Sequence, residues 1–179
     1  RQQVFGLMNL LLSQYGIDSN RLYVTGLSMG GYGTWDQITQ FTNMYAAAIP
    51  MSSGGNTALA SRIINLPIWN FHAANDSVVN VSGSRTTISA LRTAGGNPIY
   101  TEYASGDHAI WTPAYNTPAL MDWVYSQARG AASTNEPLLA ITSPTAGAIW
   151  RTGRTNLNLA GTAGAMGQAL TAISWTNFA

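Results

Sequence analysis

The sequence has no cysteine and no lysine, only two histidines, and little charge of either sign: eight arginines face seven carboxylates in 179 residues. Without cysteine there is no disulfide framework and no thiolate nucleophile, and two histidines alone do not make a structural zinc site. The arginines are scattered, so no basic stripe exists to follow a phosphate backbone, and nucleic acid is not expected as a partner. No apolar run approaches the roughly 20 residues that cross a bilayer, so membrane insertion is not expected. The chain opens at Arg1 inside a helical pattern, with no signal-peptide pattern in view. Any catalysis must therefore use hydroxyls, carboxylates and imidazole, and no metal or organic cofactor is called for. Charged residues are 8% of the chain, against about 25% in ordinary soluble proteins. The polar surface then comes from Ser, Thr, Asn, Gln and Gly, which suits a secreted enzyme.

What is present is a substantial core: 46% of residues are hydrophobic and 10% aromatic, enough for one domain with some length left over. Val4, Phe5, Leu7, Met8, Leu11 and Leu12 recur at helical spacing, and Tyr15-Gly16 ends that helix. Asp18-Ser19-Asn20 reads as a turn, residues 22–25 as a short strand, and residues 30–41 as a helix with Trp35, Ile38 and Phe41 on one face. The alternation continues with strands over 46–50 and 67–71, a helix over 82–94, a strand over 99–103, a loop over 104–108, and a closing helix over 113–129. Such alternation predicts an α/β domain with a doubly wound, mostly parallel sheet. Composition changes after Arg129. Residues 130–137 are small and polar like a linker, and 138–142, 156–160 and 172–176 read as strands of a partial β-sandwich.

Gly26-Leu27-Ser28-Met29-Gly30 falls between the predicted strand and helix, which is where a nucleophile elbow holds its serine in a strained turn. Ser28 would project from the carboxyl end of its strand. The Met29 backbone N–H would face a developing oxyanion, and Gly31 and Gly33 would extend the close packing of helix on strand. A serine hydroxyl needs a base, which narrows the search to His72 and His108. Where such elbows occur, the acid and then the histidine follow the serine, each on a loop beyond a strand end. Asp76 and His108 satisfy that order. His72 reads better as a hydrogen-bonded residue at a strand end. Asp107, beside the histidine, and Asp122, on a helix, are rival acids. The chemistry implied is acyl transfer: His108 takes the Ser28 proton, Asp76 orients the imidazole, and water resolves an acyl-enzyme.

The stretch Asn20-Arg21-Leu22-Tyr23-Val24-Thr25-Gly26-Leu27-Ser28-Met29-Gly30-Gly31-Tyr32-Gly33-Thr34-Trp35 resembles the carboxylesterase and predicted-peptidase branch of the α/β-hydrolases. So do Pro67-Ile68-Trp69 through Asp76-Ser77-Val78-Val79, and Gly106-Asp107-His108 with Trp111 and Tyr115. This branch is similar to feruloyl esterases and polyhydroxyalkanoate depolymerases. The resemblance covers residues 1 to about 128 and implies the triad Ser28, Asp76 and His108. Two positions depart from the pattern, Ala73 in place of a glycine and Asn80 in place of a proline. The resemblance also implies that the first strands of the sheet, and the loop supplying a second oxyanion donor, lie upstream of this chain.

Ile141-Thr142-Ser143-Pro144-Thr145, Leu157 to Ala163 and Ile173 to Asn177 resemble the start of a bacterial immunoglobulin-like module, which implies export. The organisation expected is thus a hydrolase domain over 1–129, a linker over 130–137 and a truncated immunoglobulin-like module over 138–179. The leading expectation is a secreted bacterial serine carboxylesterase acting on a small-molecule or polymeric ester, with Trp35, Trp111 and Tyr115 as candidate pocket walls. A serine peptidase or polyester depolymerase would use the same triad. A catalytically inactive hydrolase fold kept for binding is the reading from another class.

Overall fold

The computed structural model describes residues 2–130 and two further strands, Leu138–Ser143 and Ala160–Gly164. The chain divides into two units, Arg1–Thr134 and Asn135–Ala179. The first unit runs α1 (Gln2–Gln14), β1 (Tyr23–Leu27), α2 (Met29–Gln40), β2 (Ala47–Met51), a 3-10 turn at Thr57–Ile63, β3 (Trp69–Ala73), α3 (Ser82–Thr93), β4 (Ile99–Tyr103), α4 (Trp111–Tyr115) and α5 (Leu120–Ser126).

The four strands form one parallel sheet in the order β1-β2-β3-β4. Every residue of β2 and β3 is buried, as expected of inner strands covered on both faces, while the outer strands β1 and β4 are partly exposed. Side chains alternate between the faces. On one face Trp35 and Ile38 of α2, Ile88 and Leu91 of α3, and Ala48 and Ile68 close a core onto which Phe5, Met8 and Leu12 of α1 pack. Phe5 stacks on Phe41 with ring centroids 4.4 Å apart. On the other face Trp69 stacks on Phe71 at 5.5 Å and meets Trp123 of α5 edge-on at 5.4 Å. Each such aromatic contact adds about 0.5–1.5 kcal/mol to the burial of its rings.

The single closing helix expected over 113–129 is instead two. Pro118 has no N–H to donate and disfavours helical geometry at Thr117. Ala119 then takes a left-handed φ of 64° before α5 begins. Thr117 is pinned at the break, its Oγ1 donating to Pro113 O at 3.1 Å and lying 3.0 Å from the Tyr103 hydroxyl.

In the second unit β5 (Leu138–Ser143) and β6 (Ala160–Gly164) pair antiparallel, with an irregularity between Ile141 and Ser143. The expected strand at 172–176, residues 156–159 and most of the linker fall outside the described residues.

Candidate active site

Ser28 occupies the one-residue junction between β1 and α2, with φ 57° and ψ −119°. A non-glycine residue there stores on the order of 1–3 kcal/mol of strain, which its surroundings must hold. Ser28 N–H donates to Met51 O at 3.0 Å, tying the junction to the end of β2, and Ser28 O accepts from Tyr32 N at 2.9 Å. Its hydroxyl does not cap α2. The Met29 N–H lies in the first helical turn, where no intrahelical acceptor exists; the Met29 side chain is exposed.

The glycines of this turn divide in two. A Cβ on Gly26 would sit 2.3 Å from Gly30 O, and one on Gly31 would sit 2.3 Å from Ser53 Oγ and 2.4 Å from Met51 O. Strand and helix therefore touch backbone to backbone at these points. Gly33 does not extend this packing, because a Cβ there meets nothing within 4 Å.

Asp76 lies on the loop after β3 and His108 on the loop after β4, and the structure joins them: His108 Nδ1 is 2.9 Å from Asp76 Oδ2 and 3.1 Å from Oδ1. The Asp76 side chain is fully buried and that of His108 is 20% exposed. Val78 N and Val79 N donate to Asp76 Oδ1 at 2.9 and 2.8 Å. Burial by itself raises the Asp76 pKa, but donation from Val79, His108 and Val78, with the charge of His108, outweighs it and holds the carboxyl below its ordinary value. No hydrogen bond among those described joins Ser28 Oγ to His108. Such contacts often tighten only around substrate.

The rival acids do other work. Asp107, at a left-handed φ of 52°, accepts from Ser77 N at 2.8 Å and Ser77 Oγ at 2.7 Å, while its own N–H donates to Asn75 Oδ1 at 3.1 Å. These bonds lash the histidine loop to the acid loop. Asp122 sits in the first turn of α5.

Trp35 is displaced from the candidate pocket. It is 2% exposed in the core beneath α2, so it offers no surface to a substrate. Trp111 and Tyr115 are partly exposed, and the Tyr115 hydroxyl lies 2.8 Å from Thr25 Oγ1 on β1. Among the described residues no group of three or more His, Asp or Glu side chains is arranged to hold a metal ion.

Two residues that the sequence did not mark as part of the site belong to its frame. Ser52, buried with φ 45°, donates through Oγ to His108 O at 3.1 Å. It follows Met51, whose carbonyl holds Ser28, so adjacent residues at the end of β2 anchor both the serine turn and the histidine loop. His72, fully buried, has Nδ1 2.8 Å from Ser84 Oγ and Nε2 3.0 Å from Val79 O and 3.2 Å from Asp76 Oδ2. The run Ser52-Ser53-Gly54-Gly55 at a strand end was the available signal for the first; for the second it was His72 four residues before Asp76.

This is an α/β-hydrolase-like fold built on a four-stranded parallel sheet. A crystal structure described as a thermostable esterase superposes with a TM-score of 0.70 at 43% identity, covering 72% of this chain and 36% of that one. Pyrococcus horikoshii acylaminoacyl peptidase superposes at 0.56 with 17% identity, covering 63% of this chain and 24% of that one, and so shares the fold. In sequence, the bifunctional acetylxylan esterase/xylanase of Neocallimastix patriciarum is 38% identical over 80 residues, 44% of this chain and 12% of that protein. The chain thus spans about a third of the esterase structure and a smaller part of the Neocallimastix patriciarum protein. No family model matches the sequence. The two proteins that match at 43% and 38% identity carry esterase in their descriptions, and they support a hydrolase.

Proposed function

We propose that this chain carries the catalytic residues of a serine carboxylesterase, with Ser28 as nucleophile, His108 as general base and acid, and Asp76 as the carboxylate that orients the imidazole. The observation that carries this reading is the Asp76–His108 bond of 2.9 Å. It connects loops at the carboxyl ends of β3 and β4, and the strained serine turn lies at the corresponding end of β1. His108 Nδ1 donates to Asp76, which leaves Nε2 as the lone pair that accepts the Ser28 proton. Ser28 Oγ then attacks an ester carbonyl, and the Met29 N–H with the amino end of α2 stabilises the oxyanion. The protonated His108 passes its proton to the leaving alcohol, and water attacks the acyl-enzyme by the reverse sequence.

Trp111 and Tyr115 are proposed as walls of the acyl or aryl subsite. The second unit is proposed to belong to an immunoglobulin-like module of an exported protein, a reading that the antiparallel β5–β6 pair supports. The test is a substrate panel of acetyl and aryl esters, peptide anilides and polyester particles, with Ser28→Ala as control. Ester turnover that disappears in Ser28→Ala is the expected result. Preference for anilides or polymer would assign the same residues to a peptidase or depolymerase. No turnover of any member would favour a binding module.

A further inference from the structure

His72 is the one buried ionisable side chain at the site that this mechanism leaves without a task. Its surroundings define which of its nitrogens carry protons. Ser84 Oγ lies 2.6 Å from Ser53 O, and since a carbonyl only accepts, the hydroxyl proton is on that line. Ser84 Oγ therefore meets His72 Nδ1, 2.8 Å away, as an acceptor. On the other side Nε2 faces two more acceptors, Val79 O at 3.0 Å and Asp76 Oδ2 at 3.2 Å. Every partner of the ring accepts, and only a ring protonated at both nitrogens satisfies them all.

We propose that His72 is a positioning residue, an imidazolium held as the standing countercharge of Asp76, so that Asp76 can stay ionised in a buried site while His108 remains uncharged and able to take the Ser28 proton. This rests on the esterase reading for its catalytic meaning, though not for the protonation state. A buried carboxylate bonded only to neutral donors would be a lone charge out of water, which is costly. With His72 charged, the buried pair is neutral and the proton needed for catalysis moves only between Ser28, His108 and the leaving group.

The other charged groups near His72 are already engaged. Glu102, its ladder partner on β4, accepts from Arg85 of α3 at 2.9 and 2.6 Å and from the Tyr100 hydroxyl at 2.7 Å. The α3 side chain facing the ring is Ser84, and the loop after β2 contributes the Ser53 carbonyl that Ser84 bonds, neither of which titrates. Asp76 is thus the carboxylate that faces His72 without an arginine of its own.

The experiment is nitrogen-15 NMR of the imidazoles in the wild-type protein between pH 6 and 9, paired with the pH dependence of Ser28 labelling by a fluorophosphonate in wild type and His72→Gln. The expected spectrum has both His72 nitrogens protonated across this range. In His72→Gln the acidic limb of the labelling rate moves up by roughly one pH unit, because Asp76 then bears on His108 alone and favours its charged form. The high-pH plateau is retained. A His72 with one bare nitrogen at pH 7 overturns the proposal whatever the variant does. So does a His72→Gln protein with a lowered plateau and an unmoved limb, the signature of packing alone. A wild-type protein that neither labels nor turns over ester, yet shows a doubly protonated His72, would count against the esterase reading and not against this one.

Discussion

Gly26→Ala puts one methyl group where strand meets helix behind the serine. Its Cβ would stand 2.3 Å from Gly30 O, 2.4 Å from Gly30 C and 2.9 Å from Gly30 Cα, all backbone atoms. Ordinary contact begins near 3.4 Å, so β1 and α2 must separate by about 1 Å. Neither side yields freely. β1 is in register with β2 along its whole length, and Gly31 of α2 is wedged against Ser53 and Met51. The displacement is therefore forced into the junction that carries Ser28. Overpacking of this kind costs about 1–3 kcal/mol, a fall in Tm of roughly 3–10 °C for a domain of this size. If Ser28 is the nucleophile, as proposed, misplacing its hydroxyl by about 1 Å should slow its covalent labelling by roughly 100-fold. The assay is the pseudo-first-order labelling rate, followed by intact-protein mass spectrometry beside a thermal melt. Gly33→Ala is the matched control: it adds the same methyl in open space within α2, and should leave labelling unchanged while stabilising by about 0.5–1 kcal/mol. A Gly26→Ala protein that labels at the wild-type rate with an unshifted Tm would refute the close-contact reasoning.

Ser52→Ala removes a buried donor to His108 O and should cost about 1 kcal/mol by chemical denaturation, with a larger proportional loss of ester turnover than of stability. Acid sensitivity follows from three carboxyls held below their ordinary values: Asp76, Asp107 through the bonds it accepts from Ser77, and Glu102, which its bonds to Arg85 and Tyr100 hold at about 2. Because the unfolded chain binds these protons more readily than the folded one, their contribution is complete above the ordinary carboxylate range and is lost progressively as pH falls from that range through the lower folded values. Urea midpoints measured from pH 5 down to pH 2 should fall less steeply for Glu102→Gln than for wild type; equal slopes would remove Glu102 from the account. Trp111→Ala should alter kcat/KM across a series of acyl lengths while sparing the acetyl ester, and unchanged values throughout would take Trp111 out of the pocket.

The alternation of apolar strands and amphipathic helices made the parallel sheet readable, with element ends displaced by a residue or two. The serine turn was readable because its glycines and its place between strand and helix are local features. The pairing of Asp76 with His108 followed from chain order, although the residues lie 32 apart and meet only because β3 and β4 are neighbours. Trp35 was misplaced for a physical reason: periodicity identifies the face of α2 that is covered, but not whether a core or a pocket covers it. The broken closing helix escaped notice because the apolar spacing continues across Pro118. His72 was readable as a hydrogen-bonded residue at a strand end, but not its contact with Ser84 of α3, twelve residues on. Ser52 was hidden, because its bond to His108 O joins the end of β2 to the loop after β4 and no spacing within one segment encodes it.

The central claim is that Ser28 is an activated nucleophile, and site-mapped fluorophosphonate labelling tests it most directly. The protein is treated near pH 8, digested, and the modified peptide sequenced, with Ser28→Ala and Asp76→Asn alongside. The account predicts a single adduct on Ser28, absent from Ser28→Ala and much slower in Asp76→Asn. A folded protein that takes up no label, or is labelled at another residue to the same extent in Ser28→Ala, would contradict it.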